Sequence, residues 1–257
     1  MIEYLFLGQV GYPEALSLQE ELVALRRAGR VGNVLLLLEH PPVLTLGRNA
    51  KRANILASDR TLAERGVTIH EINRGGDVTY HGPGQLIGYP IFDLRSLTNA
   101  RGARLGPVDF VRLLEEVLIR VCGVYGVASG RIAGLTGVWC GDLSRPAGLA
   151  TKIGAIGIHV ARGITSHGFA FNVTTDLAHF GLINPCGIAA CPVTSLAREV
   201  ARPDALPGLE SVAHQAARQF GLVFAREILA VDSLRELRAR SGGAQPLEPA
   251  SPDPVRG

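Results

Sequence analysis

Hydrophobic positions along the chain change period several times, and each change predicts an element. Residues 4–7 form a short apolar run that predicts a strand. From 13 to 27 the apolar positions Ala15, Leu18, Leu22 and Leu25 fall near helical spacing, with Pro13 in the first turn, where its missing N–H costs nothing. Residues 34–38 are apolar without interruption, the pattern of a strand buried on both faces, and 43–46 predict another short strand. Ser58 is a candidate N-cap for a helix ending at Arg65, with Gly66 after it. Alternation over 67–72 and an apolar run over 86–92 predict two more strands. The strongest helix signal starts at Pro107 and runs to about Cys122, with Phe110, Leu113, Leu114, Val117, Leu118 and Val121 on one stripe. Residues 138–173 mix Gly with β-branched residues, as several strands joined by tight turns would. Residues 209–220 and 226–238 predict helices.

No repeat or linker divides this pattern. Strands dominate the middle and helices the end, so residues 1–240 are expected to form a single α+β domain with a mixed or mostly antiparallel sheet. The regular βαβ alternation of a doubly wound fold is missing. Residues 241–257, rich in Pro, Gly and Ala, are expected to be a disordered tail.

Composition narrows the function classes. Of 257 residues, 47% are hydrophobic and 19% charged, enough apolar material for a sizeable core. A net charge of +3 is too weak to argue for nucleic acid. The longest apolar run is too short to span a membrane, and the first residues lack the basic start and apolar stretch of a secretory signal. The four cysteines, Cys122, Cys140, Cys186 and Cys191, match no zinc spacing. A cytoplasmic protein with free thiols is the expectation.

The chemistry concentrates in RGGDVTYHGPGQLIGYP, residues 74–90. Its glycines fit neither a dinucleotide fingerprint nor a phosphate-binding loop. Glycine also lets backbone N–H groups approach a ligand closely, where they can cradle a carbonyl oxygen or an anion. Arg74 could anchor the loop or a ligand, and His81 could move a proton or donate a hydrogen bond. The plain alternative is a hairpin with a buried, satisfied histidine.

The stretch RGGDVTYHGPGQLIGYPIFDL resembles the signature of the lipoyl(octanoyl) transferases, and EHPPVLTLGRNA (39–50) and TKIGAIGIHVARGITSHGFAFNVTTDL with INPCG (151–187) agree with it. The likeness runs from about residue 4 to 200. It implies a fold of the biotin/lipoate protein ligase type, related to class II synthetase catalytic domains. It also implies transfer of an octanoyl group from acyl carrier protein to a lysine on lipoyl domains, those of the 2-oxo acid dehydrogenases and of the glycine cleavage H protein. Catalytic roles fall by resemblance on Cys186 and Lys152. Substrate-binding roles fall on Arg74, Gly75, Gly76, Asp77, Val78, Thr79, Tyr80 and His81, on Ala155, Ile156 and Gly157, and on Gly168, Phe169 and Ala170. No cofactor and no metal are implied, and a monomer is expected. Asp77 departs from the pattern, where an uncharged polar or basic residue is expected, and His159 stands where Arg is frequent.

The residue types suit the chemistry. A cysteine thiolate can take an acyl group from a thioester at little cost, because the product is another thioester; a lysine amine then takes it irreversibly as an amide. A nearby ammonium favours the thiolate, and the same lysine can later act as base. Gly187 N–H, with Gly76 or His81, is a candidate oxyanion donor. Tyr80 and Leu86 are expected in the acyl channel, Arg74 and His81 at its mouth, and His40 in its wall. His167, in SHGFAFNV, is more often structural by itself and a further candidate by the same resemblance. Arg48, Lys51, Arg52 and Arg74 form a cationic group suited to an acidic carrier. Cys122 and Cys140 are expected in the core; Cys191 could pair with Cys186 or join His179 at a metal. Two rivals stand beside the transferase: an ATP-dependent lipoate or biotin ligase, whose glycine-rich motif reads differently and leaves NPCG idle, and a carrier-binding module without activity.

Overall fold

The computed structural model describes residues 1–99, 102–143, 150–184 and 192–240. The expected tail, 241–257, lies outside them. Strand β1 (Ile2–Gln9) leads through helix α1 (Tyr12–Arg27) to β2 (Asn33–Glu39) and β3 (Val43–Leu46). Helix α2 (Asp59–Glu64) and β4 (Thr68–Glu71) follow, then β5 (Val78–His81), β6 (Gln85–Ile91) and the long helix α3 (Pro107–Val124). Next come β7 (Ser129–Ile132), β8 (Leu135–Gly141), β9 (Ala150–Ala161) and β10 (Ile164–Asn172). The chain closes with α4 (Leu196–Glu199), α5 (Leu209–Phe224), β11 (Ile228–Ala230) and α6 (Leu234–Arg240).

Eight strands form one mixed sheet in the order β11-β1-β2-β6-β10-β9-β8-β7, and β4-β3-β5 form a second. Strand β2 sits in the middle and shows why its run is unbroken. Leu35 and Leu37 face a core shared with Phe110, Leu114 and Val117 of α3 and with Phe220 of α5. Val34, Leu36 and Leu38 face Leu18, Leu22 and Leu25 of α1. Both faces are covered, so period-2 polarity would have left polar groups buried. The small sheet has its own core of Leu44, Leu46, Val78 and Tyr80 under Leu62 and Val67.

Most predicted elements are present, and the Ser58 cap holds, its hydroxyl accepting from Thr61 N at 3.1 Å. Two expectations change. Residues 226–238 are not one helix: Ile228, Leu229 and Ala230 pair in parallel with Ile2, Glu3 and Tyr4, and the helix restarts at Leu234. Sheet-edge pairing overrides a helical pattern there, and Ala225 at φ +49° ends α5 with no glycine to announce it. Residues 78–81, expected within a glycine-rich turn, are a strand pairing with β3. One βαβ unit does occur, β1-α1-β2 in parallel.

Strands β6 and β10 approach unusually closely. A Cβ on Gly168 would collide with Gly88 O, and one on Gly88 would enter the Phe169 ring. Backbone cannot swing aside as a flexible side chain can. Gly168→Ala is therefore expected to lower stability by about 1–3 kcal/mol, as overpacking does. Urea unfolding checks this: the midpoint should fall with an unchanged slope.

Candidate active site

Residues 74–77 form a strap laid between two backbones. On one side Arg48 N and Asn49 N donate to Arg74 O and Gly76 O at 3.0 and 3.1 Å. On the other, Gly75 N donates to Ile158 O of β9 at 3.0 Å. The approach requires glycine at 157, where a Cβ would stand 2.7 Å from Gly75 O. Asp77 fixes the end of the strap, accepting from Asn54 Nδ2 and from Val78 N, each at 2.7 Å. Its carboxylate thus has a structural reason to be there.

Behind the strap, between β5 of the small sheet and β9 and β10 of the large one, lies a cavity of about 230 Å³. Of the residues singled out from sequence, Arg74 to Thr79, His81, Lys152, Ala155 to Gly157 and Gly168 to Ala170 all line it. His167 lines it too. Tyr80 does not: it points the other way, its ring stacked on His179 at 4.9 Å in the small-sheet core. Leu86 belongs to the core under α3 rather than to the channel. His40 stands one shell back, its Nε2 2.7 Å from the hydroxyl of Tyr89, which does line the cavity. Cys186, Gly187 and Cys191 lie outside the described residues. The described chain on either side of that stretch reaches the cavity, through Phe180 before it and Val193 after it.

Arg74 is buried at 8% exposure, a wall group and not part of the mouth. Its guanidinium donates to Thr45 O at 2.7 Å, to Thr45 Oγ1 at 2.9 Å and to Gly75 O at 3.0 Å. Thr45 Oγ1, accepting from Arg74, has its own proton for His81 Nε2, 3.3 Å away. His81 Nδ1 then donates to Gln85 Oε1 at 2.8 Å, and Gln85 Nε2 to Asn172 Oδ1 at 2.9 Å. Asn172 Nδ2 donates to Thr194 O at 2.9 Å, and Thr194 N to Lys152 O at 3.0 Å. A one-way series of donors thus joins the buried cation to the backbone that carries Lys152. Both ring nitrogens of His81 are used within it, so this side chain is no oxyanion donor in the resting arrangement.

The same burial keeps three histidines neutral. His81 is pushed down to about 3, by desolvation first and then by His40 and Arg74. His40 is lowered to about 4, mainly by burial. His167 is also lowered to about 4, by burial and then by Arg74. His167 takes the left-handed backbone at φ +55°, with its N–H donating to Gln19 Oε1 and its Nε2 2.7 Å from Asn73 Oδ1. Tyr12 closes the back, stacked 5.3 Å from His70.

Lys152 is half-buried on β9, its Nζ 4.6 Å from the centre of the Trp139 ring. Its N–H donates to Pro192 O at 2.8 Å. Tyr12, Tyr89, Leu135, Trp139, Phe180 and Val193 also line the cavity and were not singled out. Leu135 and Trp139 share β8, and the other four come from four further places in the chain. Only strand register could bring them together, and no local motif marks them. Of the cationic group, Arg48, Lys51 and Arg52 are exposed, and the buried Arg74 leaves it.

Comparison with known proteins gives the family and the fold. The family described as the lipoyl protein ligase A/B catalytic domain matches residues 11–221. The chain is similar to an octanoyltransferase of Acidobacterium capsulatum, 58% identical over 92% of this chain and 96% of that one. It is 52% identical to an octanoyltransferase of Koribacter versatilis over 92% and 90%. Among solved structures, a bi-partite lipoate protein ligase of Thermoplasma acidophilum superposes with a TM-score of 0.65 at 16% identity, over 93% of this chain and 89% of that one. A lipoate-protein ligase A bound with ATP gives 0.63 at 16% identity, over 94% and 93%. At that identity the likeness shows the fold: the chain has the lipoate protein ligase fold.

The neutral histidines predict acid sensitivity. Each has a folded value below the unfolded value of about 6.5, so the unfolded chain takes protons first as pH falls. Stability is present in full above about 6.5 and declines toward 4, by about 1 kcal/mol per pH unit for each of His40, His81 and His167. Urea midpoints measured from pH 7 to 5 should fall steeply, and His81→Gln should flatten the slope.

Proposed function

Because the chain belongs to the lipoyl protein ligase A/B catalytic-domain family, we propose that an octanoyl group moves from octanoyl-acyl carrier protein to lipoyl-domain lysines through a thioester on Cys186. The protein is an octanoyltransferase of lipoate biosynthesis. The acceptors are the lipoyl domains of 2-oxo acid dehydrogenases and the glycine cleavage H protein. Residues 1–240 act as one catalytic domain, monomeric and cytoplasmic; among the described residues no helix is long and apolar enough to cross a membrane.

The observation that carries the covalent reading is the placement of Lys152. Its ammonium-bearing side chain lines the acyl-sized cavity, and its backbone pairs with Pro192 and Thr194. That segment begins five residues after Gly187 of NPCG, so Cys186 is near in sequence to the chain that pairs with the lysine. In the first step the Cys186 sulfur attacks the carbonyl carbon of the carrier thioester. A new carbon–sulfur bond forms, the old one breaks, and the departing thiol takes up the proton that Cys186 gave up. In the second step the acceptor amine attacks the same carbon, the bond to Cys186 breaks, and the amine's proton passes through Lys152 to the released sulfur. Lys152 serves as the cation that favours the thiolate, then as proton carrier. The backbone N–H groups of Gly187 and Gly76 are the oxyanion donors in this scheme. No ATP, cofactor or metal enters.

The cavity suits the cargo. Each methylene taken from water contributes about 0.8 kcal/mol, and the small side chains of Ala155 and Ala170 leave room along the wall for an unbranched chain. Arg48, Lys51 and Arg52, exposed beside the strap, receive the acidic carrier.

Intact mass after incubation with octanoyl-carrier protein, without ATP or acceptor, tests the scheme. One octanoyl group should be gained, lost in Cys186→Ala, and discharged by a lipoyl domain. No adduct without ATP, with lipoyl-domain modification once ATP and free octanoate are supplied, would overturn it in favour of a ligase. Reversing Arg48 and Arg52 to Glu should raise the apparent KM for the carrier several-fold with kcat little changed; an unmoved KM would place docking elsewhere.

A further inference from the structure

Trp139 is the chain's single tryptophan, and it is buried at 2% exposure in the cavity wall. It sits on β8 directly opposite Lys152 on β9. Cross-strand partners share a face of the sheet, so the two side chains meet. They meet in one geometry, with the ammonium over the ring at 4.6 Å from its centre. An ammonium over an indole face is held by the ring quadrupole, most strongly for tryptophan among the aromatics.

Two further observations separate this contact from ordinary core packing. The indole Nε1 is buried and has no hydrogen-bond partner among the described residues. A buried, unpaired N–H costs stability, and phenylalanine would fill the wall without it. What tryptophan offers in return is its ring face. The backbone beside it is also built around the lysine. Gly137 has φ +124°, and a Cβ there would stand 2.6 Å from Gly154 O and 3.3 Å from Lys152 Cε. Gly137 N donates at 3.1 Å to Glu115 Oε1, a fully buried carboxylate held by Arg112 and Arg131 at 2.7 and 3.0 Å. The irregularity between Val138 and Trp139 is thus pinned from behind, and it sets how the ring meets the lysine stem.

We propose that Trp139 is the positioning residue of Lys152: its indole face seats the ammonium at the cavity wall, where the acyl thioester is exchanged. The proposal rests on the reading that Lys152 takes part in the reaction. The ring attracts the charged amine and not the neutral one. Between steps it therefore returns the lysine to one place instead of leaving a flexible four-carbon stem to search.

Because the chain has one tryptophan, growth on fluorinated tryptophans labels this ring alone. Successive fluorines drain the π face while barely changing its shape. With mono-, di- and trifluorotryptophan, kcat for octanoyl transfer should fall stepwise, by roughly tenfold in all. The KM for carrier should stay within about twofold and the urea midpoint should hold. The 19F resonance of the monofluorinated protein should shift in Lys152→Met. Trp139→Phe, which keeps a ring but a weaker π face, should lower kcat while the protein remains folded at the assay temperature. A kcat indifferent to, or raised by, fluorination while Lys152→Met abolishes turnover would overturn the proposal and leave the role of Lys152 intact. Turnover retained in Lys152→Met would instead bring down the reading on which it rests, and the proposal with it.

Discussion

A guanidinium buried away from water must find acceptors or cost several kcal/mol, and the site is organised by how Arg74 finds them. Its donors go to Thr45 and to the neighbouring Gly75 carbonyl. That commits the Thr45 hydroxyl to giving its proton to His81, and it fixes the direction of every bond after it. His81 must be neutral with its proton on Nδ1, Gln85 must turn its oxygen toward it, and Asn172 must turn its oxygen toward Gln85. The last donor holds the backbone of Thr194, which pairs with Lys152. One cation thereby joins the small sheet, the large sheet and the segment that returns from NPCG. Its charge also disfavours a second one nearby, which adds to burial in keeping His81 and His167 uncharged. Such a fully satisfied network rigidifies its surroundings, whereas a half-satisfied one would destabilise them.

The cavity is the complement of that network. Polar groups with paired bonds form its back, while alanines and glycines at 155, 157, 168 and 170 form its sides. Small side chains do two jobs. At Gly157 and Gly168 they let neighbouring backbones touch, and at Ala155 and Ala170 they leave a slot for a chain of methylenes. In the proposed scheme an acyl group in that slot is drawn in by its apolar area, and the chemistry at its head is left to a sulfur and an amine. Splitting the transfer in two would let one surface receive two bulky protein partners in turn.

Much of this was legible in the sequence because it is local. The unbroken apolar run at 34–38 required covering on both faces, and α1 and α3 provide it. The glycine-rich stretch announced close backbone contacts, and its family resemblance picked out residues that share one cavity. What escaped depends on long-range register. Tyr80 alternates with Thr79 and His81 along β5, so it points into the small-sheet core while they face the cavity. The stretch had been read as a turn, in which that alternation has no meaning. Trp139 was not singled out, since nothing in TGVWCG says that position 139 lies opposite 152. Arg74 was expected at the mouth; arginines are usually exposed, and no motif announces that this one is buried. Its partners Thr45 and Gly75 come from the loop geometry and not from a motif.

The central claim, that the cavity between β5 and the β9–β10 pair holds the acyl chain with its carbonyl end toward Lys152, is tested most directly by a crystal structure of the enzyme loaded with an octanoyl group. Continuous density is expected from a sulfur near Lys152, running past Gly157 and Gly168 toward Tyr12 and Tyr89. An octanoyl chain lying outside that cavity, or one threaded with its methyl end against Lys152, would contradict it.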